Sequence, residues 1–269
     1  MNRVATAALA FTLLLPALTA AQTADAVRDY RRANEHRILR EFVELLSLPN
    51  VASNREDIRR NAAHIVSMMD ERGLSPRLLE AADAPPAVFG EWRTPGATRT
   101  LVFYAHYDGQ PTDPAKWAET HPWRPALRNA PHDAGGKLIP MPAEGAAINP
   151  EWRLYARSAS DDKAGVMAIL AAFDALKAKG IRPTVNLKFF FEGEEEAGSP
   201  NLAAIITRHR DLLAADAWII CDGPVHQSGR KQVVFGVRGD TNVDLTVFGP
   251  RRPLHSGHYC RPAHPVPAG

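Results

Sequence analysis

Apolar positions along the chain alternate between helical and strand spacing. Ile58, Ala62, Ile65, Val66 and Met69 share one helical face, with Ser53-Asn54-Arg55-Glu56 ahead of them as a capping box and Gly73 as the stop. Upstream, Ala24 to Leu48 is charged and helix-prone, and Leu48-Pro49-Asn50 ends it because the residue before a proline is pushed out of the helical region. Strand patterns occupy Pro76 to Leu79, Ala87 to Trp92, Thr100 to His106, Leu154 to Ala159, Thr184 to Phe191 and Ala217 to Cys221. Two more helices are predicted, Asp162 to Lys179 and Asn201 to Leu213. Alternation of this kind predicts an α/β fold, a mostly parallel sheet flanked by helices. From Val233 the pattern changes to two strands, VVFGVRG and NVDLTVFG, where a different sheet begins.

The first 21 residues, MNRVATAALAFTLLLPALTAA, stand apart. One Arg precedes an apolar run from Val4 to Leu15, followed by Pro16 and small residues, which reads as a secretory signal cut after Ala21. The run is shorter than the roughly 20 residues of a spanning helix, so no stable membrane anchor is expected after cleavage. The expected location is therefore exported, either periplasmic or secreted. A net charge of +2 without a long basic run gives no support for a nucleic-acid surface and favours a small partner. The two cysteines, Cys221 and Cys260, indicate no disulfide framework, and Cys221 after an apolar run reads as a buried thiol.

Candidate chemistry gathers at the predicted strand ends: His106 and Asp108, Asp161 and Asp162, Glu194 to Glu196, and Asp222. In an open α/β sheet the ligand site lies outside the carboxyl ends of the strands, so these groups should converge. Crowded carboxylates repel one another unless cations sit among them, and carboxylate mixed with imidazole suits zinc, with cobalt or manganese also possible. Each group alone has a plainer reading: a polar pair for His106 and Asp108, a helix cap for Asp161-Asp162, a solvated turn for EGEEEAG. Their joint placement at successive strand ends is what favours a metal centre.

The pieces FYAHYDGQP, ARSASDDKAG, FFFEGEEEAGSPN, CDGP and GPRRPLHSGHY resemble, in order, the M20 family of metallopeptidases, and look most like its dipeptidase and glutamate carboxypeptidase branch. The resemblance implies hydrolysis of peptide bonds in dipeptides or short peptides by two divalent metal ions. It implies His106, Asp161, Glu196 and Asp222 as metal ligands, with Asp161 bridging and the peptide bond after it commonly cis. Asp108 would orient the His106 ring, Glu195 would be the general base that activates water, and His255 would stabilise the oxyanion. Glu194 is then the spare acid. Residues 22–240 would form the catalytic domain, and 241–269 the start of a lid or dimerisation domain, with a homodimer as the implied assembly.

The end of the chain departs from the family pattern. After Tyr259, CRPAHPVPAG loses periodicity, which reads as a truncated or frame-shifted end, and no residue matches the last histidine ligand of the second metal. Two alternatives stay open: a non-catalytic metal- or peptide-binding protein, and an N-acyl-amino-acid amidohydrolase of the same fold.

Overall fold

The structure is a computed structural model and describes residues 22–81, 84–223, 226, 228–239, 241 and 243–247. The expected signal segment, His255, Cys260 and the tail lie outside these residues. The described chain falls into two units, one ending at Gly223 and one starting at Pro224.

In the first unit, helix α1 (22–33) precedes α2 (Glu35–Leu46) and α3 (Arg55–Glu71), then come β1 (Arg77–Leu79), β2 (Ala87–Trp92) and β3 (Thr100–His106). Three short strands follow, β4 (Ala126–Arg128), β5 (Leu138–Ile139) and β6 (Arg153–Tyr155). The order closes with α4 (Lys163–Ala178), β7 (Asn186–Glu192), α5 (Leu202–Arg208), α6 (Arg210–Leu213) and β8 (Ala217–Ile220). Asn54, rather than Ser53, caps α3: its side chain accepts from the Asp57 amide at 3.2 Å. The helix expected over Asn201 to Leu213 breaks at His209, which ends α5 and precedes α6.

The main sheet has the strand order β1-β2-β7-β3-β8. β3 runs parallel to both neighbours, whereas β1–β2 and β2–β7 are antiparallel, so the α/β sheet is mixed. β6 is not part of it. It overlaps the start of the strand expected over Leu154 to Ala159 but pairs with β4 in a separate antiparallel sheet of β5-β4-β6, whose other two strands, β4 and β5, lie where no strand was expected.

The strands β3 and β7 are apolar on both faces because both faces are covered. Leu187, Phe189, Phe191 and Ala105 pack with α3 and α4 residues such as Ile65, Met69, Val166 and Leu170. Phe190, Val102 and Tyr104 point the other way, against Ile205 and Leu213 of α5 and α6. Close packing leaves β2 no room at Gly90, where a Cβ would overlap Met69 Cε and lie 2.9 Å from the Leu74 carbonyl oxygen. Gly90→Ala is expected to destabilise the fold by about 1–3 kcal/mol, read as a lower midpoint in urea unfolding, because a backbone atom must move.

In the second unit, residues 228–239 and 243–247 form no helix or strand. Phe235 and Val237 are almost fully exposed, at 97% and 94%. The two strands expected here are thus not paired among the described residues. A two-stranded ribbon is marginal without a further strand or helix to cover its apolar face. No helix among the described residues is long and apolar enough to cross a membrane.

Candidate metal centre

The parallel trio β7-β3-β8 brings its carboxyl ends to one side of the sheet. His106 closes β3, fully buried, opposite Glu192 of β7. Tyr104 pairs with Ile220, so two residues further along each strand Asp222 arrives beside His106, its Oδ2 3.8 Å from His106 Nε2. Glu195 Oε2 comes equally close to the same nitrogen, at 3.8 Å. Asp161 arrives differently from the expected strand end: turns after β6 carry it in, and its Oδ1 accepts from His106 Nε2 at 2.8 Å. The Asp161–Asp162 peptide bond is cis.

The two adjacent aspartates divide their work. Asp162 is buried and caps α4, accepting from the Gly165 amide at 3.2 Å and from the His106 amide at 3.2 Å. Its oxygens also fall within metal-ligand spacing of His106 and Asp222, and a second such set is His106, Asp161 and Glu196. Each Asp162 oxygen accepts one backbone amide and keeps a further lone pair, whereas the exposed carboxylate of Asp161, which meets His106 Nε2 through Oδ1, is the less committed of the two.

Asp108 ties the histidine to the acidic turn. It is fully buried, and its two oxygens accept from the consecutive amides of Glu195 and Glu196, each at 3.1 Å. Its Oδ1 also lies 3.3 Å from His106 Nδ1, off the line of a good hydrogen bond. Glu194 is pulled away from the centre, its carboxylate accepting from the Asn201 amide at 2.8 Å and side chain at 3.0 Å. The spare acid therefore organises the entry to α5.

Several supporting residues were not singled out from the sequence. Gln110 donates to Glu196 Oε2 at 2.7 Å. The buried Asn50 side chain donates to the Tyr107 carbonyl and to Ser158 Oγ, joining the loop after β3 to the loop that delivers Asp161. Gly109 is needed where those loops meet, since a Cβ there would overlap Ser158 Oγ. Lys163, fully buried, donates to the Leu45 and Leu48 carbonyls and anchors α4 to the end of α2. Burial lowers its pKa well below the usual lysine value. Glu192 accepts from Tyr104 Oη at 2.6 Å beneath the centre. Gln110 and Ser158 lay inside the quoted motifs, while Asn50 had only the signal of a helix stop.

The electrostatics suit a cation. Burial alone would lower the His106 pKa, yet the Asp108, Asp222 and Asp161 carboxylates outweigh it and push it up to about 10. Burial raises Glu195 and Asp222 above the usual carboxylate range, and the neighbouring acids raise them further. The acids thus hold a positive charge on the imidazole, at the point from which a divalent ion bound by the same groups would displace the proton. Imidazole with several carboxylates is a donor set for zinc and related ions.

The sequence profile of Peptidase family M20/M25/M40 matches residues 102–258, more than half of the chain. The Cys-Gly metallodipeptidase dug1 of Schizosaccharomyces pombe is 28% identical over 242 residues, covering 83% of this chain and 46% of that protein. The human Beta-Ala-His dipeptidase is 25% identical over 221 residues, covering 80% of this chain and 38% of that protein. Among solved structures, the M20 family metallo-carboxypeptidase Sso-CP2 from Sulfolobus solfataricus aligns with a TM-score of 0.58 and 31% identity, over 72% of this chain and 39% of its own. The chain thus spans less than half the length of these relatives. With the profile match covering every residue of the strand-end cluster, the chain belongs to the M20/M25/M40 peptidase family.

Proposed function

We propose that this protein serves metal-dependent hydrolysis of the amide bond in dipeptides or short peptides. The observation that carries the reading is the gathering of acids on the buried His106 in two sets of metal-ligand spacing, one with Asp162 and Asp222 and one with Asp161 and Glu196, with the Glu195 carboxylate 3.8 Å from the histidine. The names of the relatives, dipeptidases among them, support the substrate class.

His106, Asp161 and Asp222 would hold one ion, and Asp161 with Glu196 would contribute to a second, zinc being the best match to the donors, with cobalt or manganese as substitutes. When bound, such ions polarise a carbonyl and make water acidic enough to attack near neutral pH. Glu195 would take a proton from the attacking water and pass it to the leaving amine, a role its carboxylate's approach to His106 at 3.8 Å supports. Asp108 holds the two glutamate amides, and Gln110 steadies the Glu196 carboxylate. A role for His255 at the oxyanion rests on the LHSGHY motif, and export rests on the apolar run from Val4 to Leu15.

The test is hydrolysis of Cys-Gly and β-Ala-His against N-acetyl amino acids, before and after dialysis with a chelator. Dipeptide cleavage is expected to disappear with the metal and to return with added zinc. Cleavage that survives chelation, or a preference for N-acetyl amino acids, would reject the reading.

A further inference from the structure

At the far end of α4 from the metal centre lies a second cavity, of about 370 Å³. Thirteen residues separate Lys163 from Leu176, so the helix carries the two sites roughly 20 Å apart. Trp92, Phe173, Leu176 and Ile181 give the cavity an apolar lining, with Pro95 and Pro183 beside them. Trp92 and Phe173 meet edge to face with ring centroids 5.3 Å apart.

The charged lining is all of one sign. Arg93, Lys177 and Arg182 contribute, and no acid does. Arg182 is exposed and makes no ion pair among the described residues. Arg93 is 80% exposed and faces only Glu91, at 3.3 Å, a carboxylate also shared with Arg77 at 3.6 Å. The Lys177 ammonium stands 5.9 Å from the Trp92 ring centroid and donates one hydrogen bond, to the Arg72 carbonyl at 2.9 Å.

We propose that this cavity binds a small amphipathic anion, a carboxylate with an unbranched or aromatic body. The aromatic and aliphatic floor would take the apolar body, and the guanidinium rim would take the carboxylate, Arg being suited to paired hydrogen bonds with that group. The volume falls in the range of small-ligand sites, which combine an apolar lining with a few polar anchors. No residue of the metal centre takes part, so the site stands whether or not the hydrolytic reading does.

The test is calorimetric titration of the full chain with octanoate, octanol and octylammonium, which share one body and differ in charge. Octanoate is expected to bind saturably and about tenfold or more tighter than octylammonium. The double substitution Arg93→Glu/Arg182→Glu, at two exposed positions, is expected to weaken octanoate by about tenfold, leave octanol unchanged and preserve the circular dichroism spectrum. If that variant does not fold, the salt dependence of the unaltered chain decides: octanoate affinity should fall as salt rises, and octanol affinity should not. Equal binding of octanoate and octylammonium, no saturable binding of octanoate, or octanoate binding indifferent to both salt and charge reversal would overturn the proposal.

Discussion

Under the proposed hydrolytic function, Glu195→Gln is expected to lower turnover by about 10²–10⁴-fold, the usual worth of a positioned general base, and to leave metal content unchanged. Gln has the same shape, keeps the amide hydrogen bond to Asp108, and cannot take up a proton. The Glu195 carboxylate is suited to the task because burial, then the nearby Asp222, Glu196 and Asp108, raise its pKa and so make it a stronger base. It is also the acid left over once His106, Asp161, Glu196 and Asp222 are assigned to the ions. Metal analysis beside kcat and KM separates the outcomes: low kcat with full metal supports the role, and turnover within about tenfold of normal sinks it. Glu194 is a poor substitute, because Asn201 holds both of its oxygens.

Asp108→Ala is expected to damage both the fold and the metal centre. The substitution leaves two part-buried backbone amides without their acceptor and removes the neighbour of His106 Nδ1. Each unsatisfied buried group costs about 1–3 kcal/mol, so a loss of roughly 3–5 kcal/mol in urea or thermal unfolding is expected. Asp108→Asn keeps an acceptor oxygen and should recover much of that stability, while zinc affinity stays weaker by about 10–100-fold because the imidazole loses its anionic neighbour. Equal stability of the Ala variant and the parent chain would show that the turn at Glu195 and Glu196 holds itself.

Local pattern made much of this arrangement legible. Ala87–Trp92 and Thr100–His106 were bounded from sequence as they occur, because both are apolar runs ended by polar groups. Motif order then brought out His106, Asp108, Asp161, Glu195, Glu196 and Asp222, which do meet in space. What stayed hidden depends on distant partners. β6 has the composition of a main-sheet strand, and only its pairing with β4 assigns it elsewhere. The antiparallel placement of β2 beside β7 is likewise a long-range contact, invisible to periodicity. Asp161 and Asp162 are chemically identical, and their division between centre and helix cap is decided by two backbone amides. Asn50, far upstream, could be read as nothing more than a breaker until its side chain was seen beside Tyr107 and Ser158.

The grip of Asp108 on two consecutive amides also settles how this site could be lost by mutation. Glu194, Glu195 and Glu196 are the same residue three times over, so only their backbone register against Asp108 tells them apart. An insertion or deletion of one residue just before them would keep an acid at nearly every place and hand each one its neighbour's task. Such a slip would preserve charge and much of the composition while erasing the division of labour. Substitution scans would miss that vulnerability, and single-residue indels between Gly193 and Gly198 would expose it.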